Sequence, residues 1–211
     1  MERNKIAKLL IDLKSVQISK GTPFNYASGL KGPIYCDNRK IISHVSARHQ
    51  IVQAFVEEIK KSGVKFNKVA GLATAGIPYA AWIADKLGLP MIYIRSKAKE
   101  HGKRNQVEGD FSPGDKVILI EDLVNQGSSL ESALLGLREA GLEASACFCI
   151  VNYQMKAVEK LLKNLNLSLF SLTDFSSILE VSKGSLHLSE DDISDLRSWQ
   201  ENPETWSLQR G

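Results

Sequence analysis

The sequence has few cysteines, no long apolar segment and little net charge. Its three cysteines, Cys36, Cys147 and Cys149, are odd in number and lack the spacing of metal ligands. Because two of them lie inside an apolar run, we expect reduced thiols in the core. No run of about 18 apolar residues occurs, and the polar N-terminal pentapeptide is unlike a secretory signal. We therefore expect a cytoplasmic protein with no membrane partner.

The small net charge argues against nucleic-acid binding. The formal charge is +3 over 211 residues, which is too small to indicate nucleic-acid binding by itself. The 43% of hydrophobic and 24% of charged residues suit one globular domain, or a domain with a small appendage. We expect no nucleic-acid partner.

Short apolar runs alternate with helix-like periods along the chain. This alternation is typical of α/β proteins, and apolar runs this short are typical of buried parallel strands. The predicted strands cover residues 69–72, 91–94, 117–120, 146–151 and 167–172. The predicted helices cover residues 77–87, 129–140, 156–165 and 191–201, and Gly88 and Gly141 close two of them. We predict a doubly wound, mostly parallel sheet flanked by helices, with function at the carboxyl ends of its strands.

The segment from Val117 to Leu130 carries the strongest local signal. An apolar strand delivers Glu121 and Asp122 to its end, and a turn of small residues then opens a helix. Backbone N–H groups and hydroxyls at a helix N-terminus are well suited to bind phosphate. Acids that merely cap the helix are the plainer interpretation. A P-loop nucleotidase is excluded, because the string G-x-x-x-x-G-K-[ST] is absent.

This segment resembles the signature with which type I phosphoribosyltransferases bind phosphoribosyl pyrophosphate (PRPP). The resemblance implies that Glu121 and Asp122 hold the ribose hydroxyls. It also implies that the turn wraps the 5-phosphate with Asn125, Gln126, Gly127, Ser128 and Ser129. Family members usually carry two hydroxyl residues where this chain has Asn125 and Gln126, so amides replace two hydroxyl donors.

Six potentially cationic side chains lie within the ten residues from Arg95 to Arg104. A solvated surface loop is the plainer interpretation of such a run. The run follows the strand that precedes the phosphate turn, however, so it can reach the same pocket. A mobile cationic lid at that place would stabilise a leaving pyrophosphate and exclude water.

The basic run closely resembles the R-[KS]-x-x-K-x-H-G loop of orotate phosphoribosyltransferases. The matching positions are Arg95, Lys99 and His101. The resemblance implies that Lys99 and His101 act in catalysis together with Asp122. It also implies a homodimer in which the loop serves the neighbouring subunit's site. Many family members carry a second lysine where Ser96 stands.

Residues 24–39 place aromatic rings beside glycines and a proline. A flat, polar pyrimidine needs a stacking ring beside exposed backbone donors and acceptors, although a connector with core aromatics explains the segment equally well. The segment resembles the family's N-terminal orotate-binding hood, which implies Tyr35 as the stacking ring and Arg39 as a carboxylate partner. Ala27 stands where many members carry a lysine. We predict an N-terminal helix and hood in residues 1–40 and a core with a C-terminal helix in residues 41–211.

Residues 71–78 form a strand-to-helix turn of small residues. The turn resembles the family's pyrophosphate loop, which implies Thr74 as a substrate-binding residue. A plain tight turn explains these residues almost equally well. They support the resemblance mainly because they occur in the expected order with the other motifs.

Taken in order, the motifs resemble the orotate phosphoribosyltransferase family from Gly21 to Trp206. The family implies the type I phosphoribosyltransferase fold and transfer of the phosphoribosyl group of PRPP to orotate, which gives orotidine 5'-monophosphate in de novo pyrimidine synthesis. Mg²⁺ is the implied cofactor, held mainly through PRPP and water. The departures at Ala27, Ser96 and the amide pair leave an alternative open, a catalytically weakened PRPP-binding homologue that acts as a regulator or partner subunit.

Overall fold

A six-stranded sheet lies at the centre of the protein, whose computed structural model describes residues 3–26, 28–97 and 106–210. The helices are α1 (Arg3–Asp12), α2 (Arg39–Ile42), α3 (Val45–Ser62), α4 (Gly76–Leu87), α5 (Ser128–Glu139), α6 (Lys156–Leu165), α7 (Phe175–Ser185), α8 (Glu190–Glu201) and α9 (Pro203–Leu208). The strands are β1 (Val16–Ile18), β2 (Phe24–Asn25), β3 (Lys31–Gly32), β4 (Ile34–Cys36), β5 (Lys68–Leu72), β6 (Met91–Ile94), β7 (Val107–Glu108), β8 (Lys116–Val124), β9 (Glu143–Asn152) and β10 (Leu169–Asp174).

The central sheet has the strand order β10-β9-β8-β5-β6-β7. All neighbouring pairs are parallel except β6 and β7, which are antiparallel at the edge. The chain begins this sheet at β5, adds β6 and β7 on one side, and then crosses over to add β8 on the other. The strand order therefore reverses between β5 and β8. This topology confirms the predicted doubly wound, mostly parallel sheet.

The apolar runs of the sequence are strands covered on both faces. Residues 117–120 of β8 and 146–151 of β9 are fully buried. Ile118 and Ile120 belong to a core cluster with α1, α3, α4 and α7, whereas Val117 and Leu119 belong to a second cluster with α5. A strand buried on both faces has no polar side, so its sequence reads as a continuous apolar run. Burying one such side chain stabilises the fold by about 1.5–3 kcal/mol.

Most predicted bounds lie within a few residues of those observed, but β8 and β9 are longer than predicted. These strands pair with each other from Lys116 and Glu143 to Val124 and Asn152. The apolar pattern stops at polar residues, but the main-chain hydrogen bonds between the two strands continue past them. Helices α2, α3, α7 and α9, the short strands β1 to β4, and β7 lie outside the predicted elements.

The two predicted helix-closing glycines adopt the left-handed conformation. Gly88 has a φ of 65° at the end of α4, and Gly141 has a φ of 74° shortly after α5. Because a Cβ disfavours this conformation, glycine is the residue expected at both places. Both predictions are confirmed.

The three cysteines are free thiols. Cys147 and Cys149 are buried free thiols in β9, as predicted, whereas Cys36 is a half-buried free thiol in β4. Within the three described ranges, no helix is long and apolar enough to span a bilayer.

The N-terminal segment forms two small antiparallel pairs outside the central sheet. Strand β1 pairs with β4, where Gln17 lies opposite Tyr35, and β2 pairs with β3, where Phe24 lies opposite Gly32. We call residues 16–36, which carry both pairs, the hood. Helix α9, near the C-terminus, packs against β3. The division of the chain at residue 40 stays a prediction.

Candidate active site

A crevice opens at the edge of the sheet where β5 and β8 part. The two strands pair up to Gly71 and Ile120. Beyond that point β8 continues beside β9 alone, while the chain leaves β5 and turns into α4. The turn lies directly against β8, because a Cβ added to Gly76 would collide with the backbone oxygen of Ile120. Doubly wound folds bind their ligands at such a reversal of strand order.

Two carboxylates border the crevice at the end of β8. Glu121 is 7% exposed, and Asp122 is half-buried. Glu121 Oε1 accepts a hydrogen bond from the backbone N–H of Asp122 at 2.9 Å. Burial raises the pKa of Glu121 well above its usual value, and the charge of Asp122 raises it further. Burial also raises the pKa of Asp122. Burial therefore disfavours the ionised form of both carboxyl groups.

A buried asparagine supports the acid pair from the hood side. Asn38 Nδ2 donates to the backbone oxygen of Asp122 at 2.9 Å, and Asn38 Oδ1 accepts from the Ser15 hydroxyl at 3.0 Å. The Tyr79 hydroxyl of α4 donates to the backbone oxygen of Asn38 at 2.9 Å. Because Asn38 is fully buried, these bonds form away from water and hold their groups firmly. Asn38 thus joins the N-terminal segment, α4 and the end of β8.

A cavity of about 230 Å³, here called the phosphate cavity, lies at the N-terminus of α5. Gly127 turns the chain into the helix with a φ of 84°, and the amino end of a helix favours an anion. The predicted turn residues all line this cavity, namely Asn125, Gln126, Gly127, Ser128 and Ser129. The lining also includes Glu121 of the acid pair and Ser28 of the hood.

Within the described residues, one buried side-chain atom of the phosphate cavity has no hydrogen-bond partner. The Oδ1 atom of Asn125 is buried and accepts no hydrogen bond from the described part of the chain. Leaving a buried acceptor unpaired destabilises a fold by about 1–3 kcal/mol. The atom is available to a donor on a ligand, and a half-turn of the amide would instead present its NH₂ group to an anion.

A second cavity, of about 220 Å³, adjoins the first. It lies between the ends of β5 and β6 and the first turn of α5, and Ala73, Arg95 and Ser96 line it. Ser128 and Ser129 line both cavities, so anionic groups can bind on two sides of one helix N-terminus. The predicted residue Thr74 lies exposed in the turn next to Ala73.

The two ends of the basic segment are fixed to each other and to α5. The Arg95 N–H donates to the backbone oxygen of Gln106 at 2.9 Å. The Gln106 side-chain amide donates to the backbone oxygen of Arg95 at 2.6 Å and to the Ser132 hydroxyl at 3.0 Å. The guanidinium of Arg95 lies 3.4 Å from the Glu108 carboxylate. The predicted catalytic residues Lys99 and His101, and also Ala27, lie outside the described residues.

The predicted hood residues Tyr35 and Arg39 lie on the same side as Asn38. The Tyr35 ring is tilted 34° against Phe24, with 5.6 Å between the ring centroids. Arg39 Nε donates to Asp37 Oδ1 at 2.6 Å, and this bond lowers the pKa of Asp37. The charge of Arg39 also opposes the burial that raises the pKa of Asp122. Arg39 therefore acts electrostatically on Asp122 while most of its side chain stays exposed.

The C-terminal helices hold the hood in place. The Lys31 N–H donates to the Ser207 hydroxyl at 2.8 Å, and Lys31 Nζ donates to the backbone oxygen of Arg210 at 2.7 Å. The Tyr26 ring meets the Trp199 ring edge-on, with 6.4 Å between their centroids. A T-shaped pair of this kind adds about 0.5–1.5 kcal/mol beyond the area it buries. The hood is thus tied to α8 and α9.

The structure gathers most of the predicted site residues around one crevice. Glu121 and the turn residues line the phosphate cavity, Arg95 lines the second cavity, and the charge of Arg39 acts on Asp122. Sequence reasoning missed Asn38, Gln106 and Ser28 as parts of this arrangement. Asn38 and Asp122 lie 84 residues apart, and the sequence carries no local signal that joins them.

Comparisons with known proteins agree with this geometry. Residues 38–177 match the phosphoribosyl transferase domain family. The chain is 42% identical over 205 residues to the orotate phosphoribosyltransferase of Coxiella burnetii, covering 97% of this chain and 98% of that protein. It is 43% identical over 202 residues to the orotate phosphoribosyltransferase of Listeria innocua, covering 96% of this chain and 97% of that protein.

Solved structures show the same fold. The orotate phosphoribosyltransferase from Aeropyrum pernix matches with a TM-score of 0.71 and 29% identity, covering 83% of this chain and 96% of that chain. The UMP synthase of Leishmania donovani matches with a TM-score of 0.78 and 26% identity, covering 93% of this chain and 42% of that chain.

Replacing Glu121 by Gln should stabilise the free protein at neutral pH. The pKa of Glu121 is raised above its usual 4.5 in the folded state, so wild-type stability falls as the pH rises from about 4.5 toward that raised pKa. The variant lacks this loss and should gain on the order of 1–3 kcal/mol at neutral pH. Urea unfolding of both proteins at pH 4 and pH 8 measures the difference in their free energies of unfolding.

Asp115→Asn is the control of opposite sign. Its pKa is lowered, chiefly by the hydrogen bond from the backbone N–H of Ser112, so its contribution to stability is present above the unfolded pKa and is lost as the pH falls. Asp115→Asn should therefore destabilise the protein at neutral pH, with the difference fading in acid. A Glu121→Gln variant that is less stable than wild type at pH 8 would contradict the burial argument.

Proposed function

This chain belongs to the orotate phosphoribosyltransferase family, and we propose the roles that its own residues play in the family's reaction. The enzyme transfers the 5-phosphoribosyl group of PRPP to orotate, giving orotidine 5'-monophosphate and pyrophosphate in de novo UMP synthesis. One observation carries the assignment of the site. Glu121 of the acid pair lines an anion-sized cavity at a helix N-terminus, at the reversal of the strand order.

Glu121 and Asp122 bind the ribose of PRPP by accepting hydrogen bonds from its 2'- and 3'-hydroxyls. A carboxyl group accepts such bonds best when ionised, whereas burial favours its protonated form. Ribose binding therefore lowers the pKa of the acid pair and releases protons. The 5-phosphate occupies the phosphate cavity, where the hydroxyls of Ser128 and Ser129 and the first N–H groups of α5 donate to it.

The pyrophosphate of PRPP occupies the second cavity, beside Arg95 and the turn that carries Thr74. As the bond from ribose C1 to the pyrophosphate oxygen breaks, a ring nitrogen of orotate forms the new bond to C1. Negative charge grows on the leaving group, and Lys99 and His101 donate to it. Catalysis comes from positioning and from charge stabilisation, without a protein nucleophile.

The acid pair fits a magnesium ion that takes most of its ligands from PRPP and water. Mg²⁺ prefers oxygen ligands and commonly binds one or two carboxylates together with substrate phosphates. Across the described ranges, no group of three or more histidine, cysteine, aspartate or glutamate side chains is arranged to hold a metal. Glu121 and Asp122 would thus hold the ion only together with PRPP. Bound there, Mg²⁺ would neutralise charge on the pyrophosphate oxygens.

Orotate lies beneath the hood. Its ring stacks on Tyr35, which is half-buried and already held against Phe24. Its carboxylate faces Arg39, whose exposed guanidinium has donors beyond the one bonded to Asp37. The N-terminal segment up to residue 40 therefore serves the base, and the core from residue 41 serves PRPP, in a protein that we place in the cytoplasm.

The reaction is tested by following orotate absorbance in the presence of PRPP and Mg²⁺. Wild type should consume orotate, and Asp122→Asn should lower kcat/KM by about 10- to 100-fold, because one hydrogen bond to a charged group contributes about 1.5–3 kcal/mol. Asp110→Asn, an exposed acid outside the site, is the control. PRPP binding without turnover by wild type would instead favour the weakened homologue to which Ala27, Ser96 and the amide pair point.

Asn38 is the residue that positions Asp122. Asn38→Ala removes the donor to the Asp122 backbone and should raise the KM for PRPP by about 5- to 20-fold, with a stability loss of about 1–3 kcal/mol. Ser15→Ala leaves the Asn38 donor in place and removes the hydroxyl that bonds Asn38 Oδ1 and the backbone oxygen of Asp37. It should lower stability while leaving the KM for PRPP within about twofold. Equal effects of both variants on KM would refute the positioning role.

The catalytic unit is a homodimer in which Lys99 and His101 serve the neighbouring subunit's site. Lys99→Ala should lower kcat by about 30- to 1,000-fold, because it removes a charge that acts on the leaving pyrophosphate. Lys99→Ala and Asp122→Asn subunits, each strongly impaired alone, can be mixed. A shared site predicts that the mixed dimer regains wild-type activity at one of its two sites. A mixture no more active than the two impaired variants would show that each loop serves its own subunit.

A further inference from the structure

The residues that line the phosphate cavity come from β8, from α5 and from the turn between them, with one exception. The exception is Ser28, which belongs to the hood. Ser28 lies in a tight turn, in which the Tyr26 N–H donates to the Leu30 oxygen at 2.8 Å and the Gly29 N–H donates to the Tyr26 oxygen at 2.9 Å. Gly29 allows this turn with a φ of 85°. The tip of the hood therefore reaches the place that receives an anion.

The hydroxyl of Ser28 has a proton to donate. Ser28 is exposed, and among the described residues its hydroxyl takes part in one hydrogen bond, as the acceptor of the Leu30 N–H at 3.4 Å. A phosphate group has three terminal oxygens, and each of them accepts hydrogen bonds strongly. Asn125 Oδ1, in the same lining, is an acceptor and contributes nothing to an anion in that orientation. A donor from the hood therefore complements Ser128 and Ser129.

The residues on either side of Ser28 are already held in place before a ligand binds. Lys31, which follows the turn, is bonded to Ser207 and to the backbone of Arg210. Tyr26, which precedes it, packs edge-on against Trp199. A donor held in position before binding spends less of its interaction free energy on lost conformational freedom.

We propose that Ser28 is a further binding residue for the 5-phosphate of PRPP, to which it donates its hydroxyl proton. The inference rests on the proposed function of the site. It gives the hood a second task, since the segment that covers the base also completes the phosphate cavity.

Two fragments of the substrate test the role of Ser28 without turnover. Ribose 5-phosphate carries the 5-phosphate and lacks pyrophosphate, whereas inorganic pyrophosphate lacks the 5-phosphate. Calorimetry should show that Ser28→Ala raises the Kd of ribose 5-phosphate by about 5- to 20-fold. The Kd of pyrophosphate should stay within about twofold. Ser28→Thr, which retains the hydroxyl, should restore ribose 5-phosphate binding to within about threefold.

Ser19→Ala is the matched control within the hood. Its hydroxyl donates to the backbone oxygen of Thr22 at 2.5 Å, and Ser19 does not line the phosphate cavity. This variant should bind both fragments as wild type does. Loss of ribose 5-phosphate affinity in Ser19→Ala equal to that in Ser28→Ala would overturn the inference, because it would reveal a general disturbance of the hood.

The remaining outcomes separate this inference from the proposed function. An unchanged Kd for ribose 5-phosphate in Ser28→Ala overturns the role of Ser28, even when wild type consumes orotate. A selective loss in Ser28→Ala supports that role, and failure of wild type to consume orotate then counts against the proposed reaction alone. No binding of ribose 5-phosphate by wild type overturns the assignment of the cavity and the inference with it.

Discussion

The site depends on holding two carboxylates in a strand directly after four fully buried residues. Residues 117–120 of β8 are fully buried and anchor the strand, so the fold can hold Glu121 and Asp122 where water stabilises their charge poorly. The resulting rise in pKa disfavours the charged form in the free protein. The same poor solvation strengthens each hydrogen bond and ionic contact that a ligand makes with the acids. Stability lost in the free protein thus becomes affinity for a ligand.

The support of the acid pair is neutral, which keeps its charge for the substrate. Asn38 fixes the backbone of Asp122 rather than its carboxylate, and Tyr79 in turn fixes the backbone of Asn38. A lysine or arginine bonded directly to the carboxylate would have lowered its pKa and competed with the ribose hydroxyls and with Mg²⁺. Buried polar networks of this kind hold their members rigidly when each group has a partner.

The hood couples the two ends of the chain to the site. Its strands are bonded to residues near the C-terminus, its tip lines the phosphate cavity, and the residues that follow it support the acid pair. The base side and the phosphate side of the crevice are therefore parts of one connected structure. Helices α8 and α9 therefore contact the hood, although neither helix lines either cavity.

The features that depend on local pattern were predictable from the amino-acid sequence. The bounds of β6 and α6 coincide with those predicted, because burial on a sheet or along one helix face imposes a periodicity that neighbouring residues share. The acid pair and the phosphate turn are close together in the sequence, so they too could be predicted from a local motif. Three contacts became apparent only in the folded chain: Asn38 supports Asp122, Ser28 lines the phosphate cavity, and Ser207 bonds Lys31. These contacts join residues as far as 176 positions apart, and such pairs meet only when the packing of the whole core brings their elements together.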